Sequence, residues 1–385
     1  MIRNLYTKRI ENMPTSIFST MSMLANEHKA VNLGQGFPDF DGPEWIKDEA
    51  YSAMKSGKNQ YAPSAGIFSL RRAIQNVYER HYNLSVSADT DITITAGATE
   101  ALFSTILALF EAGDEVIMFE PFYDAHQANV MVAGATPVYV TLHAPNFTFD
   151  EKELQAAVTE RTKAIIINNP HNPSGKVFKK EELEAIADFA IRNDILVISD
   201  EVYEFLTFDD AVHIPIATLP GMKDRTITIS STGKTFGLTG WKIGYTVANS
   251  KLTEAIRRIH QWTTFAVNTP GQHAMAAAFD KLDDYLPELR SLYLSKRNLM
   301  LEALKNTKFT AIKPSGSYFM FAEIPDLYSH SDMECAMELV SRCKVATIPP
   351  SVFYGNSDEG KKLLRLCFAK QDSTIVDGIA NMAKY

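Results

Sequence analysis

The chain has 385 residues, more than one hydrophobic core usually supports, so we expect two domains. It is 45% hydrophobic and 22% charged, as globular proteins are, and its net charge of −8 argues against a nucleic-acid-binding surface. Its N-terminus lacks the apolar core of a signal peptide, its longest apolar run is too short to cross a bilayer, and its three cysteines form no C-x-x-C pair. These features predict a cytoplasmic protein with reduced thiols that binds neither nucleic acid nor membranes.

Short β-rich runs alternate with amphipathic helical patterns from about residue 91 to residue 248. Within the helical patterns, apolar residues recur at helical spacing, for example over 180–193. Strands that are apolar on both faces and separated by crossover helices indicate an α/β fold, with a mostly parallel central sheet and helices on both faces. The predicted strands are 92–95, 115–119, 136–140, 163–168, 195–199, 226–230 and 243–247.

From about residue 282 the pattern becomes that of a smaller α+β domain. A long helical stretch leads into a strand at 317–323, a helix near 332–342, a strand at 363–368 and a closing helix. We therefore predict three parts: an N-terminal arm over 1–44, a large ligand-binding domain over 45–285 and a small C-terminal domain over 286–385. The arm is expected to belong to the small domain.

Lys234 lies in the segment S-S-T-G-K-T, whose G-K-T resembles the end of a phosphate-binding P-loop. A P-loop has a further glycine five positions before Gly233, but this position is Thr228, inside a predicted strand. Two later glycines also interrupt the helix that should begin at the lysine, so the P-loop interpretation fails. The G-Q-G segment of the arm lacks the third glycine of a dinucleotide-binding fingerprint, because Asp39 stands there.

The residues that follow the predicted strands matter most, since ligands of parallel sheets bind beyond the carboxyl ends of the strands. Ala98 and Thr99 open a predicted helix, whose free N–H groups and positive dipole end favour an anion such as phosphate. Tyr123 follows the next strand and could stack on a planar ligand, although an aromatic side chain there is more often part of the core. Asn172 lies in the segment N-P-H-N-P, which is richer in amides than a structural turn requires.

Two charged residues follow the next strands. Asp200 follows a buried apolar strand, where a carboxylate is costly unless it is paired, and a helix N-cap is the alternative. Lys234 lies on a tight turn, and alone it would be interpreted as a surface lysine. Together, however, these residues form the set that a binding site for pyridoxal phosphate (PLP) requires. The set consists of an anion-binding helix start, an aromatic ring, an amide, a carboxylate and a lysine. A lysine bonds to this cofactor as a Schiff base, and an acid faces its pyridine nitrogen.

Several longer motifs resemble those of the class I and II PLP-dependent aminotransferases of fold type I. They are N-P-H-N-P-S-G (169–175), S-D-E-V-Y (199–203), S-S-T-G-K-T (230–235) and G-W-K-I-G (240–244). Three further segments are similar to the kynurenine aminotransferase/glutamine transaminase K branch, and most closely to bacterial methionine aminotransferases. These are N-L-G-Q-G-F-P-D-F (32–40), N-Q-Y (59–61) and L-R-L-C-F-A-K (364–370). The likeness extends from about Met13 to the C-terminus, in the family's order and spacing.

This resemblance implies three catalytic residues. Lys234 would bond to PLP, Asp200 would keep the pyridine nitrogen protonated, and Tyr203 would hydrogen-bond the phenolic oxygen together with Asn172. The resemblance also implies a homodimer whose active sites are shared across the interface. Tyr123 would stack on the cofactor ring, and the phosphate would be held by Ala98, Thr99, Ser231, Lys242 and, from the other subunit, Tyr61.

The same resemblance implies how the substrate is held. Arg365 would clamp the α-carboxylate, because a planar guanidinium matches two carboxylate oxygens, and Gly36 and Asn172 would assist it. No metal ion is expected. The substrate side chain would enter an apolar pocket formed by Ile17, Phe18, Tyr123 and, from the partner chain, Phe265.

The implied function is an aminotransferase that moves the amino group of methionine, an aromatic amino acid or glutamine to a 2-oxo acid by a ping-pong mechanism. Phe18 stands where kynurenine-active relatives carry tryptophan, and Ala266 where they carry histidine, so methionine is favoured over kynurenine as the main substrate. A PLP-dependent β-lyase acting on cysteine conjugates or cystathionine would use the same lysine and aspartate, and it stays an alternative. A transcription regulator with a degenerate aminotransferase domain is disfavoured by the negative charge and by the few residues before the arm.

Overall fold

The computed structural model describes residues 7–11, 13, 15–325 and 331–385. Residues 1–6, 12 and 14 of the predicted arm lie outside the described residues. Among the residues described, none of the helices is both long and apolar enough to span a bilayer.

The strands belong to one large and two small sheets. They are β1 (Val31–Asn32), β2 (Ile92–Thr95), β3 (Glu115–Glu120), β4 (Thr136–Thr141), β5 (Thr162–Asn168), β6 (Leu196–Asp200), β7 (Thr226–Ser231), β8 (Gly244–Val247), β9 (Thr310–Ile312), β10 (Phe319–Glu323), β11 (Val345–Ala346) and β12 (Leu363–Cys367).

The helices flank these sheets and connect their strands. They are α1 (Lys8–Glu11), α2 (Ile17–His28), α3 (Glu44–Lys55), α4 (Phe68–Tyr82), α5 (Gly97–Leu109), α6 (Asp124–Ala133), α7 (Glu151–Ala156), α8 (Lys180–Arg192), α9 (Thr232–Thr235), α10 (Ser250–Thr263), α11 (Thr269–Asp280), α12 (Leu282–Leu304), α13 (Asp332–Glu338) and α14 (Asp372–Met382).

The large sheet has seven strands in the order β2-β8-β7-β6-β5-β3-β4. All neighbours are parallel except β8, which runs antiparallel to both β2 and β7. This confirms the predicted α/β fold with a mostly parallel sheet and helices on both faces. Each of the seven predicted strands is present, with ends shifted by at most one residue.

Burial on both faces explains why the central strands are continuously apolar. Successive side chains of a strand point to opposite faces, so Ile165 and Ile167 pack with Ile186 of α8 on one side of β5. Ile166 points to the other side and packs with Leu102 and other apolar residues of α5. Strands covered by helices in this way need apolar residues at every position.

The C-terminal part contains the antiparallel sheet β12-β10-β9 and the long helix α12. The arm joins it directly, since Val31 of β1 pairs in parallel with Val345 of β11. The predicted strand at 317–323 begins only at Phe319, because Ser317 has a left-handed backbone with φ of 56°. The predicted boundary at 285/286 falls inside α12, and the division into domains stays a prediction.

Candidate active site

A cavity of about 300 Å³ lies at the edge of the large sheet where β2, β3, β5, β6 and β7 end. Their carboxyl ends meet there because these strands all run in the same direction. The cavity is lined by every predicted site residue except Ile17, Tyr61 and Phe265, namely Phe18, Gly36, Ala98, Thr99, Tyr123, Asn172, Asp200, Tyr203, Ser231, Lys234, Lys242 and Arg365.

Lys234 contributes an amine to the wall of this cavity. It lies on the short helix α9, directly after β7, and its Nζ donates to the Tyr318 hydroxyl at 2.9 Å and to the Gly36 carbonyl at 3.4 Å. Burial lowers the pKa of Lys234 from 10.5 to about 8, although Asp200 nearby favours the charged form. At pH 7 roughly a tenth of the amine is therefore neutral, far more than for an ordinary lysine, and the neutral form is the one that can act as a nucleophile or general base.

Asp200 is the last residue of β6 and is only 3% exposed. Its Oδ2 lies 2.9 Å from Nε2 of His126, while among the described residues its Oδ1 has only a long contact of 3.4 Å from the Val202 N–H. The helix N-cap interpretation is wrong, because residues 202–205 form a turn. A buried carboxylate with one weakly paired oxygen suits a cationic ring nitrogen.

Sequence reasoning missed His126. This residue lies on the first turn of α6, three positions after Tyr123, and its ring meets the Tyr123 ring edge-on at 5.5 Å. That position at the same sheet edge was the only signal in the sequence. Its pairing with Asp200 depends on β3 and β6 coming together, with β5 between them in the sheet.

The start of α5 forms the anion-binding end of the cavity. Gly97 has φ of 74°, and a Cβ there would lie 3.1 Å from Nζ of Lys242. The lysine can therefore reach over the helix start, where its Nζ donates to Oγ1 of Thr99 at 3.1 Å. A cation beside the free N–H groups of a helix start suits a phosphate.

Arg365 lies on β12 and is only 1% exposed. Its Nη1 donates to Oδ1 of Asn172 at 2.9 Å, and its Nη2 donates to the Gly34 carbonyl at 2.8 Å. The guanidinium lies 4.2 Å from the Phe319 ring centroid and 4.7 Å from that of Phe18. Its buried Nε has no hydrogen-bond partner among the described residues, so the site suits a carboxylate that would pair with it.

Two tyrosines complete the wall, Tyr203 being buried and Tyr123 half-buried. Burial raises the pKa of Tyr123 and of Tyr203, so both hydroxyls stay protonated and can donate hydrogen bonds. The Phe18 ring lies 6.5 Å from that of Tyr123. Ser231, the last residue of β7, adds a hydroxyl, while Ile17 packs against the core instead of lining the cavity.

Tyr61 is not brought to the cavity by its own chain. It is 83% exposed, and its ring contacts that of Phe265, which is 52% exposed, at 5.4 Å. Both rings therefore lie on the outer surface of a single chain.

Comparison with known proteins agrees with this geometry. Residues 28–381 match the family described as aminotransferase class I and II. The methionine aminotransferase of Escherichia coli K12 is 40% identical, over 96% of this chain and 95% of that protein. The kynurenine–oxoglutarate transaminase 3 of Homo sapiens is 38% identical, over 96% and 87%. The solved structure of N-succinyldiaminopimelate aminotransferase from Mycobacterium tuberculosis is 40% identical with a TM-score of 0.95, over 98% of this chain and 99% of that one.

These similarities cover nearly the whole chain, and the family and its fold use PLP. They confirm the family that the sequence motifs resemble. The chain belongs to the class I and II aminotransferases, enzymes that transfer an amino group from an amino acid to a 2-oxo acid.

Proposed function

We propose that this chain binds PLP through Lys234 and transfers the amino group of methionine and similar amino acids to a 2-oxo acid. The observation that carries the proposal is the enclosure of the Lys234 amine and the Arg365 guanidinium in one cavity of about 300 Å³. An amine whose pKa is lowered by burial can act as a base near neutral pH, and a buried guanidinium can bind the carboxylate of an amino acid.

The residues of the cavity suit each part of the cofactor. Asp200, oriented by His126, would face the pyridine nitrogen, and Tyr203 and Asn172 would hydrogen-bond the phenolic oxygen. Tyr123 would stack on the ring. The phosphate would bind the backbone of Ala98 and Thr99, the Ser231 hydroxyl and Lys242 at the start of α5. When bound, PLP supplies an acceptor for the electrons left on the substrate when its Cα loses a proton.

The chain itself positions the substrate and moves the proton. Arg365 would bind the α-carboxylate through its unpaired Nε, with Asn172 holding the guanidinium in place. Once the amino group of the substrate has taken its place on the cofactor, the freed neutral Nζ of Lys234 would take the proton from Cα. Desolvation of the amine at this site favours its neutral form.

The lining favours an apolar substrate side chain. Phe18, Tyr123 and Phe319 line the cavity, and its only cations among the described residues are Lys234, Lys242 and Arg365. Because all three already have proposed roles, no cation of this chain remains for a side-chain carboxylate such as that of aspartate. Similarity to a methionine aminotransferase supports the same choice.

We also propose a cytoplasmic homodimer. The three cysteines are free and buried, as is usual in a reducing compartment. Tyr61 and Trp262 are large aromatic residues, 83% and 84% exposed, which suits a surface that a second subunit covers.

Borohydride reduction of the PLP-loaded protein tests the proposal. We expect a reduced adduct on the peptide that contains Lys234 and complete loss of turnover in Lys234→Ala. Lys180→Ala, a change at a residue whose side chain is 61% exposed, serves as the matched control and should behave as wild type. An unmodified Lys234 peptide, or turnover by Lys234→Ala, would refute the assignment.

A panel of amino donors and 2-oxo acids tests the substrate. Methionine should exceed kynurenine and aspartate in kcat/KM. Pyruvate and ammonia released without any 2-oxo acid would point instead to a β-lyase.

A further inference from the structure

Tyr318 has no part in the proposed chemistry so far, yet its hydroxyl touches the reacting amine. It is fully buried, directly before β10. Its oxygen lies 2.9 Å from Nζ of Lys234 and 2.6 Å from the carbonyl oxygen of Gly36. Three segments distant in sequence therefore meet at this hydroxyl.

The direction of these hydrogen bonds follows from counting hydrogens. A tyrosine hydroxyl has one hydrogen, whereas a carbonyl can only accept. The short contact to Gly36 therefore uses the only hydrogen of Tyr318, and the Tyr318 oxygen can act only as an acceptor toward Lys234. Burial raises the pKa of Tyr318 well above its ordinary value, so this hydrogen is kept.

This arrangement restricts the position of the neutral amine. A neutral lysine amine has two N–H bonds and one lone pair. Two acceptors are present, the Tyr318 oxygen at 2.9 Å and the Gly36 carbonyl at 3.4 Å. The two acceptor oxygens are only 2.6 Å apart, so both lie on the same side of Nζ and hold an N–H of the amine at that wall of the cavity.

We propose that Tyr318 is a positioning residue, whose hydroxyl, itself held by the Gly36 carbonyl, accepts an N–H of the Lys234 amine and keeps this amine at the wall of the cavity. The inference rests on the proposed function of Lys234. It adds a residue that acts through the lysine and does not itself touch the substrate.

The surroundings hold the hydroxyl in place. The Tyr318 ring stacks on that of Tyr293 at 5.9 Å and meets the ring of Tyr203 edge-on at 4.9 Å. The arm segment that receives the Tyr318 hydrogen also receives a hydrogen bond from Arg365, at Gly34. The arm therefore ties the orientation of the amine to the position of the proposed carboxylate clamp.

The charge of Lys234 depends on other groups as well. Those that face it are Asp200 of β6, Cys367 and Arg365 of β12, and Lys242 after β7, together with the two tyrosines Tyr203 and Tyr318. Replacing Tyr318 by phenylalanine keeps all of the other side chains but removes both its hydrogen bond to the lysine and the one between the Tyr318 and Tyr203 hydroxyls, so a change in the lysine reports the loss of the Tyr318 hydroxyl.

The test is the titration of Lys234 in cofactor-free protein. Acetic anhydride labels neutral amines, and mass spectrometry of the peptide containing Lys234 gives its labelling rate from pH 6 to pH 10. An acceptor stabilises an ammonium more than a neutral amine, so Tyr318→Phe should lower the midpoint by about half a pH unit or more. In the loaded enzyme, kcat should fall about tenfold while KM for methionine changes little.

Tyr293→Phe is the matched control, since it removes a hydroxyl from the ring stacked on Tyr318, and it should leave the midpoint unchanged. Tyr318→Met also lacks the hydroxyl and replaces the phenylalanine variant if that variant does not fold. An unchanged midpoint in a folded Tyr318 variant would overturn the proposal. Because labelling needs no cofactor, this result is independent of the borohydride test of the proposed function.

Discussion

Arg365 is a fully buried cation and Lys234 a half-buried one, and the cost of removing their charges from water shapes what they do. Burial lowers the pKa of both, yet only the lysine approaches neutrality near physiological pH. Arginine stays charged in proteins, so it can bind a carboxylate at every working pH, whereas the lysine can gain and lose a proton. The two residues are therefore not interchangeable in this cavity.

The pKa of Lys234 predicts how stability depends on pH in the cofactor-free protein. Below pH 8 the lysine is charged in both the folded and the unfolded chain, so folding bears the full cost of burying the charge. Between about 8 and 10.5 the unfolded chain binds more protons, so stability rises with pH there. Lys234→Met should therefore be more stable than wild type at pH 7, by up to about 3 kcal/mol, with the difference shrinking towards pH 10.

Urea denaturation at pH 7 and pH 10 measures this difference. Lys251→Met, a change at an exposed position, is the control and should show no comparable gain. Equal stability of wild type and Lys234→Met at pH 7 would contradict the assigned pKa.

Replacing Arg365 by lysine tests the proposed carboxylate clamp. A lysine ammonium keeps the charge but cannot form the two parallel hydrogen bonds of a guanidinium. The lysine variant also loses one of the two hydrogen bonds that the guanidinium donates to Asn172 and to the Gly34 carbonyl. We expect KM for methionine to rise roughly 10- to 100-fold, as the loss of a charged hydrogen bond predicts. Steady-state kinetics should show no such change in Arg258→Lys, whose side chain is 75% exposed.

At the scale of elements, the end of β3 holds a loop of the C-terminal part against the cavity. Glu120, the last residue of β3, is fully buried, and its carboxylate accepts the N–H groups of Gly355 at 2.5 Å and of Asn356 and Ser357 at 3.0 Å. The same loop carries Phe353, whose ring stacks on that of Phe18 at 5.8 Å. One carboxylate thus positions part of the aromatic wall around Arg365 from another segment.

Glu120→Gln should loosen this loop. In either orientation of the glutamine amide, its NH₂ group faces at least one of the three backbone N–H groups. Both groups are donors, so the hydrogen bond that the carboxylate oxygen accepted at this position is lost. We expect a loss of about 1–3 kcal/mol in the free energy of unfolding and a higher KM for methionine. Urea denaturation and kinetics check both effects, and Glu254→Gln on the surface of α10 is the control. Wild-type stability in Glu120→Gln would show that the carboxylate does not hold the loop.

At the scale of the whole molecule, the exposed position of Tyr61 suits a site completed by a second chain. Among the described residues of one chain, Tyr61 contacts Phe265 and not the cavity lining. In a symmetric dimer the same surface occurs twice, so each chain could supply this tyrosine to the other.

Mixing two inactive variants tests this arrangement. A dimer of Lys234→Ala with Tyr61→Ala would contain one intact site if Tyr61 acts across the interface, and none if it acts within its own chain. Random mixing of two chains makes half of the dimers mixed, so refolding both variants together should restore roughly a quarter of wild-type activity. Sedimentation of Tyr61→Ala shows whether it still dimerises, and a dimeric mixture without activity would contradict the shared site.

The sequence by itself determined the fold class, the strands and the residues of local motifs. Periodicity identified strands such as β5, and contiguous motifs identified Asp200 and Lys234, because strand patterns and strand-end motifs are local properties of the chain. Only the tertiary structure decided which side chains surround them. His126 is 74 positions from Asp200, and Tyr318 is 84 positions from Lys234, so no local pattern could pair them. Buried polar groups need hydrogen-bond partners, and here the packing of separate elements supplies those partners.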